Sequence, residues 1–119
     1  LEDVALVSDI DSYNEDDDCV VLMTLHKSKG LEFDVVFHLN MNEWEMPGKH
    51  LAVEGDFDSV TFNDYNQDLD LHYVGITRAR KVCFLVSSSR RTNSSGRFSN
   101  AYPSEFLGIN GLEQLRTNI

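Results

Sequence analysis

Two short stretches hold most of the side chains able to do chemistry. In the first, Val21, Leu22 and Met23 lead into Thr24, Leu25, His26, Lys27, Ser28, Lys29 and Gly30, followed by Leu31, Glu32 and Phe33. A buried strand ending at Thr24 releases these polar groups beyond its carboxyl end, where open parallel sheets bind ligands. Thr24 and His26 placed there are able to donate hydrogen bonds to phosphate oxygens, contacts that position a nucleic acid without reading its bases. The same residues also suit a solvent-exposed turn with two lysines. In the second stretch, residues 71–81, a helix ends among Thr77, Arg78, Arg80 and Lys81 and leads into a strand. Taken as helical, Arg78 and Arg80 project roughly 200° apart, so one site does not easily use both. Cations at a helix C-terminus also complement its dipole with no ligand at all.

The elements that must hold these stretches follow from apolar patterning. Residues 19–24, 34–40 and 82–87 are short, nearly continuous apolar runs of the kind buried on both faces of a parallel sheet. Leu69, Tyr73 and Ile76 recur at helical spacing and predict a helix near 67–80. Strands alternating with a helix indicate an α/β layer fold. Leu1, Val4, Ala5 and Ser8 share a helical stripe and predict a helix end over 1–11, and 12–18 reads as a solvated acidic linker. Residues 41–66 form a long connection, with Phe57, Val60 and Phe62 able to make a small extra strand. Residues 88–100 read as a polar loop, and Pro103 sits at the first turn of a short terminal helix.

Composition bounds the possibilities. At 119 residues, 41% hydrophobic and 25% charged, the chain has about one globular domain's worth of ordinary sequence, which excludes collagen-like, cysteine-stapled and low-complexity chains. No apolar run approaches the ~20 residues needed to cross a bilayer. Cys19 and Cys83 lie inside apolar runs and read as reduced core thiols, in keeping with a cytoplasmic protein. The opening Leu1-Glu2-Asp3, without Met or a basic leader, reads as a piece of a longer protein with no signal peptide. Ten Lys and Arg against twenty Asp and Glu give a net charge of −10, a poor start for a nucleic-acid binder. The distribution is uneven, however. Residues 1–18 hold eight acids and no base, 41–71 hold eight acids with only Lys49, and 72–119 hold seven bases against two acids.

Taken together, the two stretches resemble motif V (TLHxxKGLEF, Thr24 to Phe33) and motif VI (YVGITRAR, Tyr73 to Arg80) of the UvrD/PcrA/Rep superfamily 1 DNA helicases. Residues 3–11 are similar to the family's return from an inserted accessory domain, and residues 103–107 to the PSRFL segment after motif VI. The likeness covers most of the chain apart from 48–66. It implies an α/β fold, a partial RecA-like (P-loop NTPase-type) domain with a mostly parallel sheet flanked by helices. Residues 1–18 would be a helix end and acidic linker returning from the accessory domain, and 19–119 the C-terminal part of the second motor domain. By the same resemblance, Arg78 is the arginine that contacts the ATP γ-phosphate, Glu32 hydrogen-bonds the nucleotide sugar with Gly30 in the same turn, and Thr24 and His26 contact the single-stranded DNA backbone. An arginine finger of this type is worth about 10³–10⁵ in rate. The resemblance further implies Mg²⁺–ATP as cofactor, 3′→5′ movement, a role in DNA repair or replication, and the rest of the helicase polypeptide as partner.

Departures from the family pattern are local. The acidic and arginine-rich run before YVGITRAR is replaced by residues 66–72, and a glycine common in the family's EEGxFP segment is replaced by Trp44. Trp44 reads as a packing residue more than a base-stacking platform. No G-x-x-x-x-G-K-[ST] occurs, and no Mg²⁺ ligand or water-activating group is identifiable, so this chain alone is not a complete ATPase. Asp9, Asp11, Asp56 and Asp58 lack the rest of an EF-hand, and His26, His38, His50 and His72 have no zinc spacing with a cysteine, so no metal site is expected. Two other classes stay open: the motor subunit of a helicase–nuclease acting in recombination, and a non-catalytic interaction module that keeps the fold.

Overall fold

The computed structural model describes residues 4–6, 14, 16 and 18–117. Its centre is a crossover unit. Strand β3 (Phe33–His38) and strand β6 (Ala79–Leu85) pair in parallel, with helix α1 (Tyr65–Thr77) in the connection between them. The register aligns Phe33 with Ala79 and, after an irregularity, Val35 with Val82 and His38 with Leu85. Helix α1 starts where the Asp64 carboxylate accepts the Gln67 N–H at 3.0 Å, satisfying an orphan donor of the first turn. It stops at Thr77, three residues before the sequence predicts, because Ala79 and Arg80 already belong to β6.

A second parallel pair joins β1 (Val4–Leu6) to β2 (Val20–Leu22). The expected helix over 1–11 is therefore a strand at 4–6, where ladder hydrogen bonds to β2 outweigh a weak helical stripe. Leu1, Ser8 and most of the acidic linker lie outside the described residues. The sheet expectation also needs correction. The described strands form four two-stranded ladders, two parallel and two antiparallel.

The antiparallel ladders replace the two expected loops. Strands β4 (Lys49–Leu51) and β5 (Val60–Phe62) form a hairpin, with a 3₁₀ turn at Phe57–Ser59 closed by Asp56 Oδ1 accepting from the Asp58 N–H. Val60 and Phe62 are in the extra strand as expected, whereas Phe57 is in the turn. Strands β7 (Arg90–Thr92) and β8 (Phe98–Asn100) form the other hairpin. Asn93 Oδ1 accepts from the backbones of Ser95 and Arg97, and Gly96 takes the left-handed φ of +78° that the turn requires.

The core sits where these pieces meet. Met41 and Phe106 are fully buried with Leu107 beside them, and Met46, Tyr65, Leu69, Leu85 and Ile109 pack around this group. Phe106 and Leu107 enter it from a 3₁₀ segment, Glu105–Gly111, followed by the single turn α2 (Leu112–Leu115). Ser104, not Pro103, caps that segment, and its hydroxyl also reaches the Met46 carbonyl. The opposite face of the β3–β6 ladder is not buried as the apolar runs predict. Phe37 is 62% exposed, stacked on Phe84 at 4.8 Å, because α1 covers only the face that carries His38.

Candidate functional site

The turn after β2 is shaped by its own polar groups. Thr24 Oγ1 accepts the Lys27 N–H at 3.3 Å, and the Ser28 N–H reaches the carbonyls of Thr24 and Leu25 at 3.2 Å. The buried Ser28 hydroxyl donates to the Leu25 carbonyl at 2.6 Å. Gly30 closes the turn at φ +82° with open space where a side chain would stand. Thr24, His26, Lys27 and Lys29 are left exposed along the outside. The Thr24 hydroxyl accepts inside the turn and keeps its own O–H to donate outward.

Motif VI meets this turn from the other side. Gly75 is the reason α1 lies so close. A Cβ there would stand 2.8 Å from Leu25 Cδ2 and 2.9 Å from the His38 ring. At the helix end, the Arg78 guanidinium donates to the Val74 carbonyl at 3.2 Å, the Leu31 carbonyl at 3.1 Å and Thr77 Oγ1 at 3.2 Å. The Arg78 carbonyl in turn accepts the Phe33 N–H at 2.8 Å. Arg80 projects from β6 to Glu32 and Asp34, both at 3.6 Å, and Lys81 reaches Asp34 at 2.9 Å. The hydrogen bond and charge of Lys81 hold the Asp34 carboxyl below its ordinary pKa. Both arginines engage residues 31–34, which the helical projection does not anticipate because Arg80 is in β6.

The five candidate residues thus fall on two ends of one structure. Gly30, Glu32 and Arg78 gather where the turn enters β3, and Thr24 and His26 lie at its start. His26 and Lys29 also line an open cleft of about 420 Å³ against the first turns of α1, with Asp64, Gln67, Asp70 and Val74. Three of the five N–H donors of Arg78 are satisfied internally, so two remain to meet an anion. Among the described residues no group of three His, Cys, Asp or Glu side chains could hold a metal ion, and no helix is long and apolar enough to cross a membrane.

Asn42, His38 and His72 were not legible as structural residues, whereas Trp44 was read as a packing residue. Asn42 is buried and bonds the Ser88 and Tyr102 carbonyls and the Ser88 N–H. Trp44 adopts a positive φ of +73°, at the position where the resemblance has a glycine. His38 and His72, 4% and 3% exposed, face each other with Nε2 and Nδ1 3.4 Å apart, and His72 stacks on Phe106. Burial, and then the neighbouring His38, push the His72 imidazole down to about 4. Burial likewise lowers His38.

A pH dependence follows. Both histidines titrate near 6.5 when unfolded and lower when folded, so the unfolded state gains protons first as pH falls. Stability is unaffected above about pH 6.5 and is lost between there and about pH 4, by roughly 3 kcal/mol for His72. Hydrogen exchange of α1 amides, followed from pH 7 to 5, checks this. Protection should fall with pH in the parent and much less in His72→Phe.

The α/β crossover unit sets a polar turn against an arginine-bearing helix end. Residues 1–90 match the family described as the UvrD-like helicase C-terminal domain. An ATP-dependent DNA helicase PcrA from Leuconostoc citreum is 38% identical over 98% of the chain. A PcrA from Bacillus subtilis is 34% identical over 90%, and a Rep helicase from Buchnera aphidicola 40% identical over 78%. The chain belongs to the UvrD-like helicase C-terminal family. It spans about 15% of the length of the PcrA relatives it matches.

Proposed function

We propose that this chain is the C-terminal part of the second RecA-like motor domain of an ATP-dependent DNA helicase or translocase, bringing motif V and motif VI contacts to ATP and single-stranded DNA. The relatives named as ATP-dependent DNA helicases support this reading. The observation that carries it is the hydrogen bond from Arg78 to the Leu31 carbonyl. It fastens the arginine to the turn whose far end presents Thr24 and His26, so one small unit faces both ligands. Mg²⁺–ATP supplies the phosphoryl group to be transferred, and its metal ligands lie on other parts of the polypeptide. Within this chain, Arg78 offers its two remaining donors to the γ-phosphate, Glu32 accepts from the sugar hydroxyls, and Gly30 holds the same turn at a positive φ. Movement 3′→5′ and a role in DNA repair or replication belong to the same proposal.

DNA binding tests it. In the longer polypeptide, Thr24→Ala and His26→Ala should each weaken single-stranded DNA binding about equally for every sequence. The binding they support should be salt-sensitive and blind to base sequence, since such contacts position the strand without reading it. Fluorescence anisotropy over a salt series with mixed-sequence and homopolymer oligonucleotides measures both. Loss confined to one base sequence would remove these residues from the backbone track.

A further inference from the structure

Glu32 is held from both flanks and at its tip by the stretch that carries Arg78. The Leu31 carbonyl before it accepts from the Arg78 guanidinium at 3.1 Å, and the Phe33 N–H after it donates to the Arg78 carbonyl at 2.8 Å. These bonds fix the backbone of Glu32 but not its side chain. A glutamate carboxylate on a free stem samples many rotamers, and ordering it costs entropy. The hold on the side chain is Arg80, whose Nε stands 3.6 Å from Glu32 Oε2. A carboxylate has two oxygens, so this pairing leaves Oε1 to accept from a ligand.

Arg80 reaches Glu32 because the ladder is irregular there. Phe33 pairs with Ala79 and Val35 with Val82, so β3 sets one residue, Asp34, against two of β6, Arg80 and Lys81. In a regular strand, successive side chains point to opposite faces. An extra residue breaks that alternation and re-aims a side chain, as a β-bulge does. Both cations accordingly reach Asp34, Lys81 Nζ at 2.9 Å from Oδ2 and Arg80 Nη1 at 3.6 Å from Oδ1. Lys81 makes the short contact, and Arg80 spans Asp34 and Glu32. Its planar guanidinium is thereby oriented by two carboxylates, a geometry that suits Arg better than Lys.

We propose that Arg80 is a positioning residue for recognition of the nucleotide sugar, holding the Glu32 carboxylate with one oxygen directed to the sugar hydroxyls. The proposal rests on the reading of Glu32 as the sugar contact. Arg80 acts through Glu32 and touches neither sugar nor phosphate. Its contribution is therefore to ground-state binding of nucleotides that carry those hydroxyls, and it falls on KM, not on kcat.

DNA-stimulated ATPase kinetics of the full-length polypeptide test it, with ATP and with 2′,3′-dideoxy-ATP, which lacks both hydroxyls. The quantity to read is the ratio of the two KM values. In the parent, ATP should have the lower KM, and Glu32→Ala should bring the ratio to about one. Arg80→Ala should shrink the ratio by about two- to fivefold, the size expected of an exposed ion pair. It should do so by raising KM for ATP alone, with kcat little moved. Arg80→Lys, which keeps the cation, should retain part of the ratio, and Arg80→Glu, which sets a like charge beside Glu32, should lose more of it. A Glu32→Ala protein that discriminates as the parent does removes the sugar contact and the proposal with it. Loss of discrimination in Glu32→Ala beside an unchanged ratio in Arg80→Ala keeps the contact and overturns the positioning role. So does an Arg80→Ala protein whose KM rises alike for both nucleotides, the mark of a general charge or folding effect.

Discussion

Replacing Arg78 with Ala in the full-length polypeptide is expected to lower kcat for DNA-stimulated ATP hydrolysis by about 10³–10⁵-fold. The proposed role of this guanidinium is to meet charge that develops on the transferred phosphoryl group, so its loss falls on kcat more than on ground-state nucleotide affinity. The structure adds a second consequence. Arg78 also ties the end of α1 to the Leu31 carbonyl, and removing charge-assisted hydrogen bonds of this kind costs about 1–3 kcal/mol. Arg78→Lys separates the two roles. An ammonium can reach one carbonyl but cannot keep three internal bonds and still present two donors outward, so stability should recover in part and kcat should stay low. Arg80→Ala is the contrast, since its pairs with Glu32 and Asp34 are exposed and long at 3.6 Å and are worth at most about 1 kcal/mol. Steady-state kinetics with a thermal melt on each variant decides the matter. A crippled Arg80→Ala beside a nearly silent Arg78→Ala would reverse the assignment of the two arginines.

The two motif stretches were legible because their chemistry is written in adjacent residues. Thr24, His26, Gly30 and Glu32 fall within nine positions, and the apolar runs beside them are long enough to mark β3 and β6. What brings the stretches together was not legible. The acceptor for Arg78 is a backbone carbonyl, and any residue at position 31 would supply one. The His38–His72 contact joins residues 34 apart in sequence, each lying alone in an apolar run. The β7–β8 hairpin was read as a loop, and the β4–β5 stretch as a connection with one small extra strand, because strands of three residues carry no usable period. They are set by turn chemistry at Asp56, Asn93 and Gly96, the signal that would have found them. The helix expected at the N-terminus failed for a related reason. Residues 4–6 are too few to choose between periods, and pairing with β2 decides. The bare face of β3 and β6 follows from the sheet having a single helix across it, which apolar runs cannot reveal.

Phe106→Ala is expected to be the most destabilising core substitution in the chain, at about 3–5 kcal/mol. The ring is fully buried, lies edge-on to Tyr65 at 5.4 Å and stacks on His72 at 5.4 Å. Truncating it leaves a cavity against Tyr65 and His72 of α1, at a site where Met41 is equally buried. Against the 5–15 kcal/mol that typically holds a domain together, such a loss opens α1 and β3 locally. Amide exchange of residues 36–38 and 71–75 in the full-length polypeptide should accelerate by roughly two to three decades. Phe106→Leu, which keeps much of the volume, should cost far less. The cavity also admits water to His72, whose depressed pKa comes first from burial. Its imidazole should then titrate closer to 6.5, and the loss of protection between pH 7 and 5 should become shallower than in the parent. Unchanged exchange in Phe106→Ala would mean that α1 is held by contacts other than this core. The brace between motif V and motif VI would then rest on Gly75 and Arg78 alone.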